Sequence, residues 1–140
     1  MKQRSHLKEM MRHDLMKVYR DVCGSYECET NKEAFERVVA HPAPRYYVDP
    51  RWAHQVISPM MRGDRSRLER MSPLMREMYD ELFGTVLRLA QMERYWGRSL
   101  HYILRFAVAE PAPRFYISAA RMAQIWRRSR RDQKKSITRI

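Results

Sequence analysis

The sequence is poor in glycine and cysteine and has no long apolar run. Its 4 glycines cannot form a Gly-rich phosphate loop, and it lacks nucleophile-elbow and His-Glu-x-x-His patterns. Two cysteines, Cys23 and Cys28, are fewer than small secreted domains use, and a zinc site there would need two more well-spaced ligands. No stretch approaches the ~18 apolar residues of a membrane span, nor is there an N-terminal secretory signal. We therefore expect a cytoplasmic, non-enzymatic protein without cofactor or metal, and with no membrane partner.

Acidic residues are also scarce relative to basic ones. The chain has 16 Asp and Glu against 28 Lys and Arg, which gives a net charge of +12. Its 140 residues, 44% of them hydrophobic, suffice for one compact domain with a packed core. The excess positive charge favours phosphate polymers or anionic surfaces, although basic proteins also bind acidic proteins.

An internal repeat is the most specific pattern in the sequence. Pro-Ala-Pro-Arg-Tyr-Tyr-Val-Asp at 42–49 recurs as Pro-Ala-Pro-Arg-Phe-Tyr-Ile-Ser at 111–118, an offset of 69 residues. Upstream, matching apolar positions in the two copies follow a helical spacing. They are Ala34, Phe35, Val38 and Val39 in the first copy, and Ile103, Leu104, Ala107 and Val108 in the second.

Each copy is predicted to form a helix, an extended Pro-rich loop and a further helix. The first helix follows an N-cap at Thr30 or Ser99, and the prolines of the loop end it near Ala40 or Ala109. A third helix then begins after an Asp or Ser cap. We expect it to cover 50–58, before Pro59, in one copy and 119 to about 131 in the other.

A leading helix precedes each pair and carries an apolar stripe. In the first copy the stripe contains Leu7, Met11, Leu15, Val18 and Val22. In the second copy, a helix opening at Ser72-Pro73 carries Met71, Met75, Met78, Leu82, Thr85, Leu89 and Met92, typical of a core stripe or a coiled-coil seam. We therefore predict an all-α fold of two tandem three-helix pseudo-repeats, 1–70 and 71–131, packed as one compact domain, with a basic tail at 132–140.

Two resemblances accompany this pattern. Residues 115–125, Phe-Tyr-Ile-Ser-Ala-Ala-Arg-Met-Ala-Gln-Ile, resemble the entry into the recognition helix of a helix-turn-helix, although eight residues separate Ala40 from Asp49 where such turns usually have three or four. The repeated Pro-Ala-Pro-Arg-aromatic-Tyr motif resembles one in small uncharacterised helical proteins of Bacteroides-type bacteria and their mobile elements. That resemblance implies a bacterial or phage-related intracellular protein, and it implies no particular activity.

The candidate nucleic-acid contacts lie in the loops and the third helices. Arg45 and Arg114 are either phosphate ligands or clamps that bond loop carbonyls. If the third helices contact bases, their Arg and Gln side chains have the geometry to bind guanine and adenine edges; otherwise they form a polar helix face. These residues are Arg51, Gln55, Arg62, Arg121 and Gln124.

The C-terminal segment carries the densest positive charge. Residues 127–140 hold seven basic side chains and one acid, Asp132. Our candidate phosphate contacts there are Arg127, Arg128, Arg130, Arg131, Lys134 and Lys135. Such a segment is typical of salt-sensitive, largely sequence-independent binding to phosphates, the alternatives being a solvated tail or contact with a membrane or an acidic protein.

The leading hypothesis is a nucleic-acid-binding accessory protein, with DNA favoured over RNA. The main rival is a helical protein-interaction module that joins a partner or a second copy through residues 73–95. A third hypothesis is a structural subunit of a phage or reverse-transcriptase complex.

Overall fold

Seven α-helices make up the part of the chain that the structure describes, residues 2–25 and 28–138, with side chains described over 6–25 and 28–133. In this computed structural model they are α1 (Lys2–Ser25), α2 (Asn31–Ala40), α3 (Pro50–Met61), α4 (Ser66–Glu69), α5 (Pro73–Ala90), α6 (Leu100–Ala107) and α7 (Ala119–Thr138). A 3-10 turn covers Glu93–Tyr95, and none of these residues belongs to a β-strand. The all-α prediction is confirmed. Within the same ranges, no helix has both the length and the apolar character that crossing a bilayer requires.

Side-chain caps begin five of these helices, as the sequence predicts. Each cap oxygen accepts a backbone N–H in the first turn, which would otherwise lack a partner. The caps are Thr30 on Glu33 (3.2 Å), Asp49 on Arg51 (2.8 Å), Ser72 on Met75 (3.4 Å), Ser99 on Tyr102 (3.2 Å) and Ser118 on Arg121 (3.0 Å). Polar caps therefore fix where the middle and third helices of both copies start.

Three helix ends differ from the sequence prediction. Helix α3 runs through Pro59 to Met61, although this proline lacks the N–H that would donate to the Gln55 carbonyl. Gly63, at φ +83°, closes that turn by donating to the Met60 carbonyl at 3.0 Å. Helix α7 continues past residue 131 to Thr138, so the segment predicted as a basic tail is helical that far. Residues 73–95 form α5 followed by a separate 3-10 turn.

The helices pack around one core in an order that differs from their order along the chain. Helix α1 packs on α2 and α5 packs on α6, while α3 packs on α6 and α5, and α7 packs on α2 and α1. In a helix-turn-helix, by contrast, the two helices joined by the turn pack on each other. The helix-turn-helix-like unit predicted from the sequence is therefore not how these helices pair.

The two Pro-rich loops run antiparallel to each other where they meet. Ala43 and Ala112 exchange reciprocal backbone hydrogen bonds of 2.9 Å. On either side, the Tyr46 N–H donates to the Val108 carbonyl (2.9 Å), and the Phe115 N–H donates to the Val39 carbonyl (3.2 Å). These hydrogen bonds use backbone groups in the loops and at helix ends that have no partner within a helix. Each loop is longer than the turn of a helix-turn-helix because it makes these contacts with the other loop.

Most of the apolar stripe predicted between residues 71 and 92 faces the interior, although Met92 is exposed. Met78, Leu82 and Leu89 are buried, together with Tyr79 and Val86 of the same helix. These residues therefore form a core stripe and not a coiled-coil seam.

Candidate nucleic-acid interface

Helix α7 presents a continuous basic surface to solvent. Met122, Ile125 and Ser129 are buried, and at 100° per residue the opposite side of the helix carries exposed polar residues. We call this set the α7 basic face: Arg121, Gln124, Arg127, Arg128 and Arg131. At 1.5 Å rise per residue, it extends over about 15 Å of helix. Lys134 and Lys135 follow on the same helix, but their side chains lie outside the described residues.

The acidic side chains of the protein neutralise arginines elsewhere. Five ion pairs join Arg12 to Asp132 (2.6 Å), Arg37 to Glu33 (3.4 Å), Arg65 to Asp80 (2.7 Å), Arg88 to Glu110 (3.7 Å) and Arg114 to Glu77 (3.8 Å). Among the described side chains, none of these pairs includes the α7 basic face, where Arg121 bonds the Gln124 amide oxygen at 3.1 Å. The face therefore keeps its positive charge.

A large groove adjoins this face, between α1 and α7. It has a volume of about 770 Å³. Its walls are Glu9, Arg12, His13, Met16, Tyr19 and Arg20 of α1, and Trp126, Ser129, Arg130 and Gln133 of α7. Basic and aromatic side chains thus share one cavity, and a single acid, Glu9, lines it among the described residues.

An aromatic cluster anchors one end of the groove. The Trp126 ring lies 6.1 Å from the Tyr19 ring and 5.6 Å from the Phe35 ring, both tilted, as aromatic pairs prefer. The Arg130 guanidinium lies over the Trp126 ring, 4.9 Å from its centre, in cation–π geometry. Burial raises the pKa of Tyr19, with Cys23 adding to the rise and the hydrogen bond from Trp126 opposing it. Tyr19 is therefore a neutral hydroxyl at physiological pH.

The candidate residues of α3 lie in a different environment. Arg51, Gln55 and Arg62 are exposed, and Arg62 donates to the Ser58 hydroxyl at 3.3 Å. Arg51 lines a smaller cleft of about 390 Å³ shared with His6, Leu7, Asp49, Pro50, His101 and Arg105. Because α3 packs on α6 and α7 packs on α2, the structure does not bring the two sets of candidate residues together.

Arg45 and Arg114, at equivalent positions of the two loops, make different contacts. Arg45 Nε donates to the Tyr46 carbonyl at 3.1 Å, and its guanidinium lies 6.0 Å from the centre of the Tyr47 ring. Arg114 lies 3.8 Å from Glu77 and its guanidinium is 5.9 Å from the centre of the Tyr116 ring. Both side chains are half-buried. The Arg45 bond fits the carbonyl-clamp interpretation, whereas Arg114 bonds no loop carbonyl among the described residues and its buried Nε has no partner there.

Sequence reasoning missed the contribution of α1 to the groove. Arg12, Met16, Tyr19 and Arg20 are spaced to share one helix face, which is a visible signal, but the sequence does not say that this face meets α7. The described residues contain no group of three or more His, Cys, Asp or Glu side chains that could hold a metal ion.

The chain gives no significant match to protein-family models, to curated proteins or to solved structures. The distribution of charged and aromatic side chains is therefore the basis for assigning a function.

Proposed function

We propose that this protein is a non-enzymatic nucleic-acid-binding accessory protein, with DNA favoured over RNA, and that the α7 basic face binds the phosphate backbone. The observation that carries the proposal is the row of exposed arginines on α7 that lack acidic partners among the described side chains, although acids neutralise arginines elsewhere. Arginines on a rigid helix hold several positive charges at fixed spacing. Such a surface gains free energy by releasing the counterions condensed on a nucleic acid.

Contacts of this kind position a protein without reading sequence. Phosphates carry no base identity, so we expect affinity to depend strongly on salt and weakly on sequence. Arg121 and Gln124 are the residues of the face that the sequence predicts as base contacts, because Arg and Gln side chains suit guanine and adenine edges. They bond each other at 3.1 Å, so binding a base would require that bond to open.

We further infer that residues 1–70 and 71–131 are two pseudo-repeats, related by an approximate two-fold axis, that exchange their third helices. The reciprocal bonds of Ala43 with Ala112 support this, since the two residues are equivalent at the offset of 69. Equivalent helices also make equivalent packings, α3 on α6 and α7 on α2. At the same offset, Ser58-Pro59-Met60-Met61 of α3 corresponds to Arg127-Arg128-Ser129-Arg130 of α7, so the positive charge belongs to one copy.

Matched triple variants test the main proposal. Replacing Arg127, Arg128 and Arg131 with alanine removes three charges from the α7 basic face, and replacing Arg67, Arg70 and Arg76 removes three exposed arginines elsewhere. Both proteins have the same net charge. In fluorescence-anisotropy titrations with a labelled 20-mer DNA at about 0.1 M KCl, we expect the first variant to lose most of its affinity and the second to bind almost as the parent does. Equal losses would contradict the proposal.

Binding of a protein partner through residues 73–95 is the weaker alternative. Much of the apolar stripe that would make this contact, including Met78, Leu82 and Leu89, is already buried within the chain. A structural role in a phage or reverse-transcriptase complex would instead appear as stable co-purification with protein after nuclease treatment.

A further inference from the structure

We propose that the groove between α1 and α7 binds an unpaired base of single-stranded nucleic acid, next to the phosphates held by the α7 basic face. This inference rests on the proposed function and deepens it, because it specifies single strands as the ligand. The groove is about 770 Å³, which is ample for one nucleotide. Its lining includes Arg130, the neighbour in sequence of Arg131 on the α7 basic face.

The position of Ser129 is the first argument for a ligand. Ser129 is only 8% exposed, it lines the groove, and its Oγ has no hydrogen-bond partner among the described residues. A buried hydroxyl without a partner is costly, which makes it unusual in a site that serves packing alone. At the repeat offset of 69, the first copy has Met60 at this position, and Met60 is buried at 5% exposure. A small hydroxyl thus replaces a long apolar side chain and leaves room on the α7 side.

The charge of the groove is the second argument. Arg20 and Arg130 are exposed at its walls, and His13 lies beside them. Among the described residues, Glu9 is the acid on the lining, and Arg12 of the lining is paired with Asp132 at 2.6 Å. The excess of basic over acidic side chains on the lining suits a ligand that combines a phosphate with a nucleic-acid base.

The aromatic surface is the third argument. Bases of single strands stack on Trp and Tyr rings and on arginine planes, and this stacking tolerates any base. Trp126 with Arg130 above it offers such a surface, and the neutral Tyr19 hydroxyl lies close to it. In a duplex the bases are paired and stacked inside, so a duplex can reach the α7 basic face but cannot place a base in the groove.

Trp126 fluorescence provides a direct test. In full-length protein carrying Trp52→Phe and Trp96→Phe, Trp126 is the remaining tryptophan. We expect oligo(dT) to quench its emission as it binds, and a duplex of the same length to bind without comparable quenching. Absence of quenching at saturating oligo(dT) would overturn the inference.

Single substitutions in the groove, made in the chain that keeps all three tryptophans, provide a second test that does not depend on Trp52→Phe and Trp96→Phe. Ser129→Met introduces the residue of the equivalent position, and Arg20→Glu reverses one groove charge; Arg76→Glu is the matched control, since Arg76 is exposed on α5. We expect oligo(dT) affinity to fall at least about fivefold in both groove variants and to change little in the control, with duplex affinity much less affected by Ser129→Met. Circular dichroism establishes that each variant is folded.

The outcomes separate the two proposals. Salt-dependent binding that prefers neither single strands nor duplex, and that Ser129→Met leaves unchanged, would refute the groove while the α7 basic face stands. Failure of the parent protein to bind either form would refute the proposed function itself.

Discussion

Ala43 and Ala112 form two reciprocal backbone hydrogen bonds of 2.9 Å at the crossing of the two Pro-rich loops. Both residues are almost completely buried, at 1% and 2% exposure, so water cannot replace either bond. The contact joins the loops that precede α3, which packs on α6, and α7, which packs on α2. The placement of α7, and with it the proposed interface, therefore depends on this pair.

Removing one N–H of the pair should destabilise the fold. Ala43→Pro deletes the donor to the Ala112 carbonyl and leaves that buried oxygen unpaired, which costs about 1–3 kcal/mol. Ala43→Gly keeps the N–H and is the control, with an expected loss below about 1 kcal/mol. Urea unfolding followed by circular dichroism measures both. Equal stability of the two variants would show that the bond contributes nothing.

The hydroxyls of Tyr47 and Tyr116, equivalent residues of the repeated motif, should affect stability in opposite directions. Tyr47 donates to an Asp14 carboxylate oxygen, whereas the buried Tyr116 hydroxyl has no partner among the described residues. Tyr47→Phe should therefore lower the free energy of unfolding by about 1–2 kcal/mol, and Tyr116→Phe should raise it by about 1 kcal/mol. Both changes keep the ring, so the stacking of Tyr116 on Tyr46 and of Tyr47 on Phe115 is retained.

Chemical denaturation of these two variants gives the comparison directly. Each serves as the control for the other, because the same atom is removed from the same position of the motif. A loss of stability in Tyr116→Phe as large as that in Tyr47→Phe would mean that the Tyr116 hydroxyl has a favourable contact.

The stacked pair His54 and His101 should make stability depend on pH. Their rings are parallel, with centres 3.6 Å apart, and burial together with the charge of His101 lowers the pKa of His54. The unfolded chain binds this proton more readily, with a pKa of about 6.5. The contribution of His54 to stability is therefore present above that value and is lost as the pH falls through and below it.

Unfolding at pH 7.5 and pH 5.5 tests this expectation. We expect the parent protein to be less stable at pH 5.5, and His54→Gln to reduce the difference. His13→Gln, which changes a histidine of the α1–α7 groove, should leave the difference unchanged. A pH dependence that persists in His54→Gln would assign it to other groups.

The starts of the helices, the extended loops and the buried helix faces were predictable from the sequence, because residues close together in the chain determine them. Hydroxyl and carboxylate caps at Thr30, Asp49, Ser99 and Ser118 fix helix starts, and the prolines of the repeated motif force extended loops. The burial of Ala34, Phe35, Val38 and Val39 likewise follows from their helical spacing. The arginines of the α7 basic face also stand out in the sequence as a basic cluster.

The pairing of helices was not predictable in this way. Periodicity identifies an apolar side of α7 but does not say whether α3 or α2 covers it. The packing of α3 on α6 and of α7 on α2 is accompanied by backbone bonds between loops 69 residues apart, which side-chain patterns do not encode. The groove was unpredictable for the same reason. Aligning the two copies shows that Ser129 occupies the position of Met60, but only the structure shows that α1 lies opposite Ser129 and forms a groove with it.

The salt dependence of binding by the unmodified protein tests the central claim most directly. Affinity for a 20-mer DNA is measured by anisotropy between about 0.05 and 0.3 M KCl and plotted as log K against log of the salt concentration. If the four arginines of the α7 basic face each neutralise one phosphate, the slope should lie between about −2.8 for single strands and −3.6 for duplex. A slope near zero, or shallower than about −1, would contradict binding by the α7 basic face.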